Sequence, residues 1–287
     1  MSRRRVVVTG AGSYVGQAVV QDLASREDLT VTALGSPRWD AQAPDGVTAW
    51  ACDLSQAIDA QVAEALDSAE SIVHLAWVRG AKRSIVHAQN NAILDRLAGG
   101  AGLSRVTFTS TVAAGPDAPS VYGRIKQGVA DRVADSGGRV LVLGGVVEDP
   151  PGSSHAELCR TVESSRVALR FVPPVPVLHL TTLGAVVTAV RDAVLGALGP
   201  GVHPVFDPDP ISINAFMKRL EARAPRARMP MPLSAPGLLA LRRPLGPTPV
   251  GPILDRLASF VGRDARWLAG LQSATSEHEA PADPGEA

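Results

Sequence analysis

The sequence predicts an α/β fold: a doubly wound parallel sheet over residues 1–150, a smaller and mostly helical C-terminal lobe over 151–274, and a polar tail over 275–287. Three observations carry this expectation. A β-branched run near the N-terminus ends in a glycine-rich turn; short apolar runs then alternate with helical stretches; and the rhythm breaks at Asp149-Pro150-Pro151-Gly152, after which prolines punctuate the chain. Later segments are expected to return to the sheet. At 287 residues a substantial core can be buried.

The first strand, residues 5–9, contains Val6, Val7 and Val8, whose stiff branched side chains suit a strand covered on both faces. It runs into Gly10-Ala11-Gly12-Ser13-Tyr14-Val15-Gly16 and then an amphipathic helix at 15–25. Gly10 permits a tight turn, and Gly12 lets the backbone approach a pyrophosphate. Gly16 removes the side chain that would hold the helix off the sheet. The main chain of Ser13, Tyr14 and Val15 then presents free N–H groups and a partial positive charge to an anion. A purely structural turn fits the same glycines; the placement between a valine strand and a helix selects the dinucleotide reading.

Five further strands follow at 30–34, 47–51, 71–75, 105–109 and 139–143, with helices at 56–67, 85–97 and 121–134, the last capped by Ser120. Ligands in such sheets sit outside the strand carboxyl ends, so the residues there are the site candidates. After the second strand come Ser36 and Arg38 with no carboxylate between them, which suits a ribose 2′-phosphate and hence NADP(H) over NAD(H). A solvated loop arginine is the plainer alternative. After the third strand, Asp53 and Leu54 either meet the adenine or, for Asp53, cap the next helix. After the fourth come Leu75, Ala76 and Trp77: the small Ala76 lets the chain pass close to a cofactor, and Trp77 walls a nicotinamide pocket. His74 reads as a core histidine.

The fifth strand leads into Ser110 and Thr111, and a helix then opens with Tyr122-Gly123-Arg124-Ile125-Lys126. Tyr122 and Lys126 are four apart and share a face, where an ammonium favours phenolate. Tyr122 is thereby a candidate proton donor to a carbonyl oxygen, with a strand-end hydroxyl polarising the same atom.

Beyond the break, helices are expected at 155–165, 183–198 and 212–223. Residues 224–252, with Met229, Met231, Leu233, Leu238, Leu239 and Leu241, form either an apolar flap or a partly ordered connector. From Thr275 the chain has no apolar face and is expected to be disordered. Acidic and basic residues balance at 28 each, so no net field draws nucleic acid or an anionic membrane. Cys52 and Cys159 lie far apart in sequence and fit reduced thiols; no metal-ligand spacing is present. Arg3, Arg4 and Arg5 precede too short an apolar run for a signal peptide or a membrane span, so a cytoplasmic monomer or homodimer acting on a small molecule is expected.

Together, T-G-A-G-S-Y-V-G, C-D-L, H-L-A-W, F-T-S-T and Y-G-R-I-K resemble the short-chain dehydrogenase/reductase superfamily, in its extended and atypical branches, over residues 4–220. The resemblance implies a Rossmann fold, a nicotinamide dinucleotide, the hydroxyl role for Thr111 or Ser110, the acid/base role for Tyr122, and for Lys126 both binding of the cofactor ribose and lowering of the tyrosine pKa. Three features depart from the pattern: Ser13 replaces the usual middle glycine, Thr181 and Thr182 replace paired aspartates, and no arginine follows the sixth strand. The connection from Thr111 to Tyr122, containing Pro116 and Pro119, is also shorter than epimerases carry. The leading expectation is therefore an NADPH-dependent ketoreductase acting on a bulky, largely apolar metabolite of polyketide type. The alternatives are a nucleotide-sugar epimerase or dehydratase with retained NAD, and a non-catalytic NADP-binding sensor.

Overall fold

The computed structural model describes residues 3–40, 43–78, 83–115, 117–118, 120–148, 154–234, 236–238 and 240. The expectations for Pro116, Pro119, Leu239, Leu241 and the tail from Thr275 fall outside these residues.

In chain order the first half comprises β1 (Arg4–Thr9), α1 (Tyr14–Ala24), β2 (Leu29–Gly35), β3 (Thr48–Ala51), α2 (Ala60–Ser68), β4 (Ser71–His74), α3 (Arg83–Ala98), β5 (Val106–Thr111), α4 (Val121–Asp135) and β6 (Arg139–Leu143). The second half comprises β7 (Gly145–Val146), α5 (Ser154–Ser164), β8 (Val167–Phe171), β9 (Val177–Leu178), β10 (Leu180–Thr181), α6 (Leu183–Leu195), β11 (Gly201–Val205), β12 (Ile211–Ser212), α7 (Ile213–Ala222) and β13 (Met229–Leu233). A seven-stranded sheet has the order β3-β2-β1-β4-β5-β6-β11, and each adjacent pair is parallel. The order reverses between β1 and β4, which is where an open α/β sheet forms its ligand crevice.

Alternation along β1 shows how the sheet is buried on both faces. Val6 and Val8 join the cluster formed by Val19, Val20 and Leu23 of α1 with Val186, Val190 and Val194 of α6. Val7 points the other way, into the cluster of Val62 and Leu66 of α2, Ile93, Leu94 and Leu97 of α3, and Val129 and Val133 of α4. Each buried valine contributes about 1.5–3 kcal/mol of transfer free energy, taken as an upper bound.

Several boundaries differ from expectation for local reasons. β4 stops at His74 and β5 runs on to Thr111. α2 begins at Ala60 because Asp59, not Asp53, accepts the N–H of Val62 as its cap. α6 ends at Leu195 because Gly196 takes a left-handed conformation, φ 84°. The seventh strand, β11, was not foreseen; its His203-Pro204 interrupts the apolar run, and an edge strand tolerates that proline. α6 and β11 thus return the chain to the main sheet.

Cys52 and Cys159 are not joined in a disulfide. A third cluster joins α5 and α7 to the small strands, with Phe171, Leu178, Ile213, Phe216, Met217 and Leu233 at its centre. Here β13 pairs with β8 and β12 with β9, so part of the 224–252 segment is folded; Met231 is exposed and Leu238 fully buried.

Two glycines make opposite predictions for stability. A Cβ on Gly16 would lie 2.2 Å from Gly10 O, whereas one on Gly128, in the exposed face of α4, would meet nothing within 4 Å. In urea titrations Gly16→Ala should lower stability by about 2 kcal/mol or more, while Gly128→Ala should raise it by about 0.5–1 kcal/mol.

Candidate functional site

The loop between β1 and α1 is held from both sides. Gly10 has φ 73°, and a Cβ there would lie 2.6 Å from Ala76 N, so the loop packs directly on the chain leaving β4. Ser13 caps α1: its Oγ accepts from Gly16 N at 3.0 Å and donates to Gly10 O at 2.9 Å. This gives a side-chain reason for serine where relatives of the pattern carry glycine. Among the described residues, no acceptor is recorded for the amides of Gly12, Tyr14 and Val15. Amides left free at the positive end of a helix suit an anion.

The neighbouring strand ends differ in how they meet it. Ser36 and Arg38 are exposed on a turn closed by Trp39 N–H donating to Ser36 O at 2.9 Å. Asp53 is exposed, and its Oδ1 accepts from Ser55 N at 2.9 Å and Ser55 Oγ at 2.7 Å. It therefore makes a local turn and leaves the helix cap to Asp59; Leu54 beside it is buried. Leu75, Ala76 and Trp77 are half-buried, and Ala76 N–H points toward Thr9 Oγ1 at 3.4 Å.

Trp77 organises the other end of the cleft. Its ring meets the Tyr122 ring edge-on, with centroids 5.8 Å apart at 86°, and lies 4.2 Å from Lys126 Nζ. Lys126 is only 4% exposed. Its ammonium is accommodated by donating to Thr109 O at 2.7 Å and by the faces of Trp77 and Phe108, the latter 4.4 Å away. Tyr122 is 38% exposed, so of this pair the tyrosine is open to solvent while the ammonium is enclosed.

The expected i, i+4 pair is thus bridged by an aromatic wall. Gly123 brings α4 close to the end of β5, because a Cβ there would lie 2.0 Å from Ala113 O. Two residues earlier, half-buried Thr111 accepts from Ala113 N at 3.1 Å. Ser110 Oγ is buried, and no partner for it exists among the described residues. A buried hydroxyl left unpaired costs about 1–3 kcal/mol, a condition common at reactive centres.

His74 is a core residue, as its apolar strand suggests. It lies 2.8 Å from Thr9 Oγ1 through Nδ1 and stacks on Phe108 at 5.5 Å. Burial, and then the Lys126 charge, lower its pKa from 6.5 to about 3. Thr181 and Thr182 are structural. Thr181 Oγ1 donates to Val205 O and accepts from Gly144 N at 2.7 Å, and Thr182 caps α6.

Two features had no sequence signal. The Tyr14 phenol is pushed up by burial and then by the charge of Glu148, whose Oε1 accepts from Leu183 N at 2.8 Å at the start of α6. The Trp39 indole lies against Gly12 and Gly35. No helix among the described residues is long and apolar enough to cross a membrane.

No family model matches the chain, and no curated protein matches it in sequence. Solved structures do match its fold. The Bordetella bronchiseptica enzyme WbmG in complex with NAD and UDP superimposes with TM-score 0.65 at 14% identity, over 81% of this chain and 83% of that one. A UDP-N-acetylglucosamine 4-epimerase from Methanobrevibacter ruminantium M1, in complex with UDP-N-acetylmuramic acid, gives 0.60 at 16%, over 82% and 86%. TunA, an NAD-dependent NDP-hexosamine 5,6-dehydratase involved in tunicamycin biosynthesis, gives 0.59 at 16%, over 80% and 84%. The likeness establishes a shared Rossmann-like fold over most of each chain.

The shift at His74 predicts a stability signature. The unfolded chain takes up a proton near pH 6.5 that the folded chain refuses until about pH 3. Stability from this group is therefore complete above the unfolded value and declines as pH falls through the window, by up to about 1.4 kcal/mol per pH unit. His74→Leu removes that slope. In urea titrations at pH 7, 5.5 and 4.5 the gap between parent and variant should narrow toward acid; a pH-independent gap contradicts the assignment.

Proposed function

We propose that this chain is a nicotinamide-dinucleotide-dependent oxidoreductase in which Tyr122 exchanges a proton with a substrate oxygen. The observation that supports this reading best is the cluster around Trp77. A solvent-open Tyr122 and an enclosed Lys126 share one face of α4, and Gly123 sets that helix against the turn after Thr111. When bound, the dinucleotide supplies or accepts a hydride.

The chain's own residues do the rest. The amides of Gly12, Tyr14 and Val15 hold the pyrophosphate, and Ala76 and Leu75 border its path. The Lys126 ammonium favours the phenolate form of Tyr122 through the field it adds at short range. Thr111, or Ser110 one register earlier, donates a hydrogen bond to the same substrate oxygen, stabilising the charge that develops there.

For the substrate, the activities named for WbmG's fold-mates favour the nucleotide-sugar alternative, an epimerase or dehydratase retaining NAD, over the ketoreductase. A ketoreductase using NADPH remains as a second reading on one specific observation: Ser36 and Arg38 stand exposed at the end of β2, where an NAD enzyme places a carboxylate. The two readings separate on cofactor content. Protein purified without added nucleotide and then acid-denatured releases about one NAD(H) per chain under the first reading and needs added NADPH at each turnover under the second.

Both readings make the same prediction at Tyr122. Tyr122→Phe should lower kcat by roughly 10²–10⁴-fold while leaving dinucleotide affinity within twofold, about the range seen for loss of a general acid. Full turnover by the variant removes Tyr122 from the proposed role.

A further inference from the structure

The Trp39 ring lies in the mouth of the phosphate cradle. A Cβ on Gly35 would fall 1.9 Å from Trp39 Cε3 and 2.4 Å from Cδ2, and one on Gly12 would fall 2.9 Å from Cδ1 and Cγ. The indole therefore rests on two bare backbone positions at once, the second glycine of the loop and the last residue of β2.

Doubly wound sheets give these two positions set tasks. The first lets main chain approach the pyrophosphate, and the end of the second strand carries the side chain that meets the adenosine ribose at its 2′ oxygen. An indole lying on both stands in the space of the adenosine ribose. Glycine at position 35, where such folds commonly carry an acidic side chain, is what admits it.

The ring is lightly attached. Trp39 closes the Ser36-Pro37-Arg38-Trp39 turn through a single 2.9 Å bond to Ser36 O, and its half-buried side chain packs at the margin of the α1 and α6 core. It can leave without disturbing the pairing of β2.

We propose that Trp39 is a gate on the adenosine end of the cleft. Its ring rests on Gly12 and Gly35 and turns outward to admit the adenosine half of a pyridine dinucleotide. The proposal rests on the cofactor reading above and adds the residue that controls entry. Ser36 and Arg38 sit on the same turn, so the gate and the groups suited to a 2′-phosphate move as one unit. Apparent affinity scales with the open fraction, so removing the gate tightens binding of any ligand that occupies the adenosine position.

Two variants test this by different routes. Trp39→Ala deletes the ring; Gly35→Ala keeps it and displaces it with a methyl group that strand geometry accepts. Calorimetry on protein freed of copurified nucleotide would use NAD⁺, NADP⁺ and nicotinamide mononucleotide as probes. The gate predicts about tenfold tighter binding of the first two to both variants, and no change for the mononucleotide. It also predicts that Gly35→Ala, without nucleotide, gains acrylamide-quenchable emission, assigned to Trp39 by its loss in the Trp39→Ala, Gly35→Ala double variant.

Equal or weaker binding of both dinucleotides by both variants overturns the gate and leaves the cofactor reading standing, since the parent still binds. Failure of parent and variants alike to bind NAD⁺ or NADP⁺ overturns the cofactor reading and the gate with it.

Discussion

The close approach of α1 to β1 is the constraint from which the rest of the site follows. Gly16 has no side chain because Gly10 O occupies the space, and Gly10 has none because Ala76 N lies behind it. The two contacts lock the first crossover onto the chain leaving β4, at the point where strand order reverses. Ser13 then uses its one hydroxyl twice, capping the helix and tying back to Gly10 O. What remains at the surface of this knot is a set of main-chain N–H groups at a helix N-terminus, and the proposed anion site rests on them.

At the far end of the cleft the organising element is aromatic. Burying an ammonium is costly unless its donors and charge are met. Lys126 meets this by one backbone carbonyl and two ring faces. It helps keep His74 neutral on one side, and on the other it lies one helical turn from the solvent-open Tyr122. A buried cation shared between a structural histidine and a candidate acid explains why Trp77 and Phe108 flank it: they exclude water, which would screen the field.

Much of this was legible in the sequence where a single residue determines its own surroundings. Val6, Val7 and Val8 specify a doubly covered strand, Ser120 caps α4 as its position predicts, and Tyr122 with Lys126 falls on one helix face. What was not legible depends on contacts between distant segments. Trp39 over Gly12 and Gly35, and Glu148 near Tyr14, leave no periodic trace. Asp53 offers a capping side chain, yet the helix begins only at Ala60, because Asp59 competes for the same task. The strands at 201–205 and 229–233 are broken by prolines and escape an apolar-run criterion; each is paired with a strand distant in sequence, β6 or β8.

The central claim is that the knot formed by Gly10, Ser13 and Gly16 binds the pyrophosphate of a pyridine dinucleotide. The most direct measurement is stoichiometry: nucleotide extracted from the purified protein by acid, added to that taken up in a calorimetric titration with NAD⁺ or NADP⁺. The account predicts that carried and added dinucleotide together reach about one per chain, as one cradle per Rossmann-type fold requires. No extractable nucleotide and no heat with either compound would contradict it.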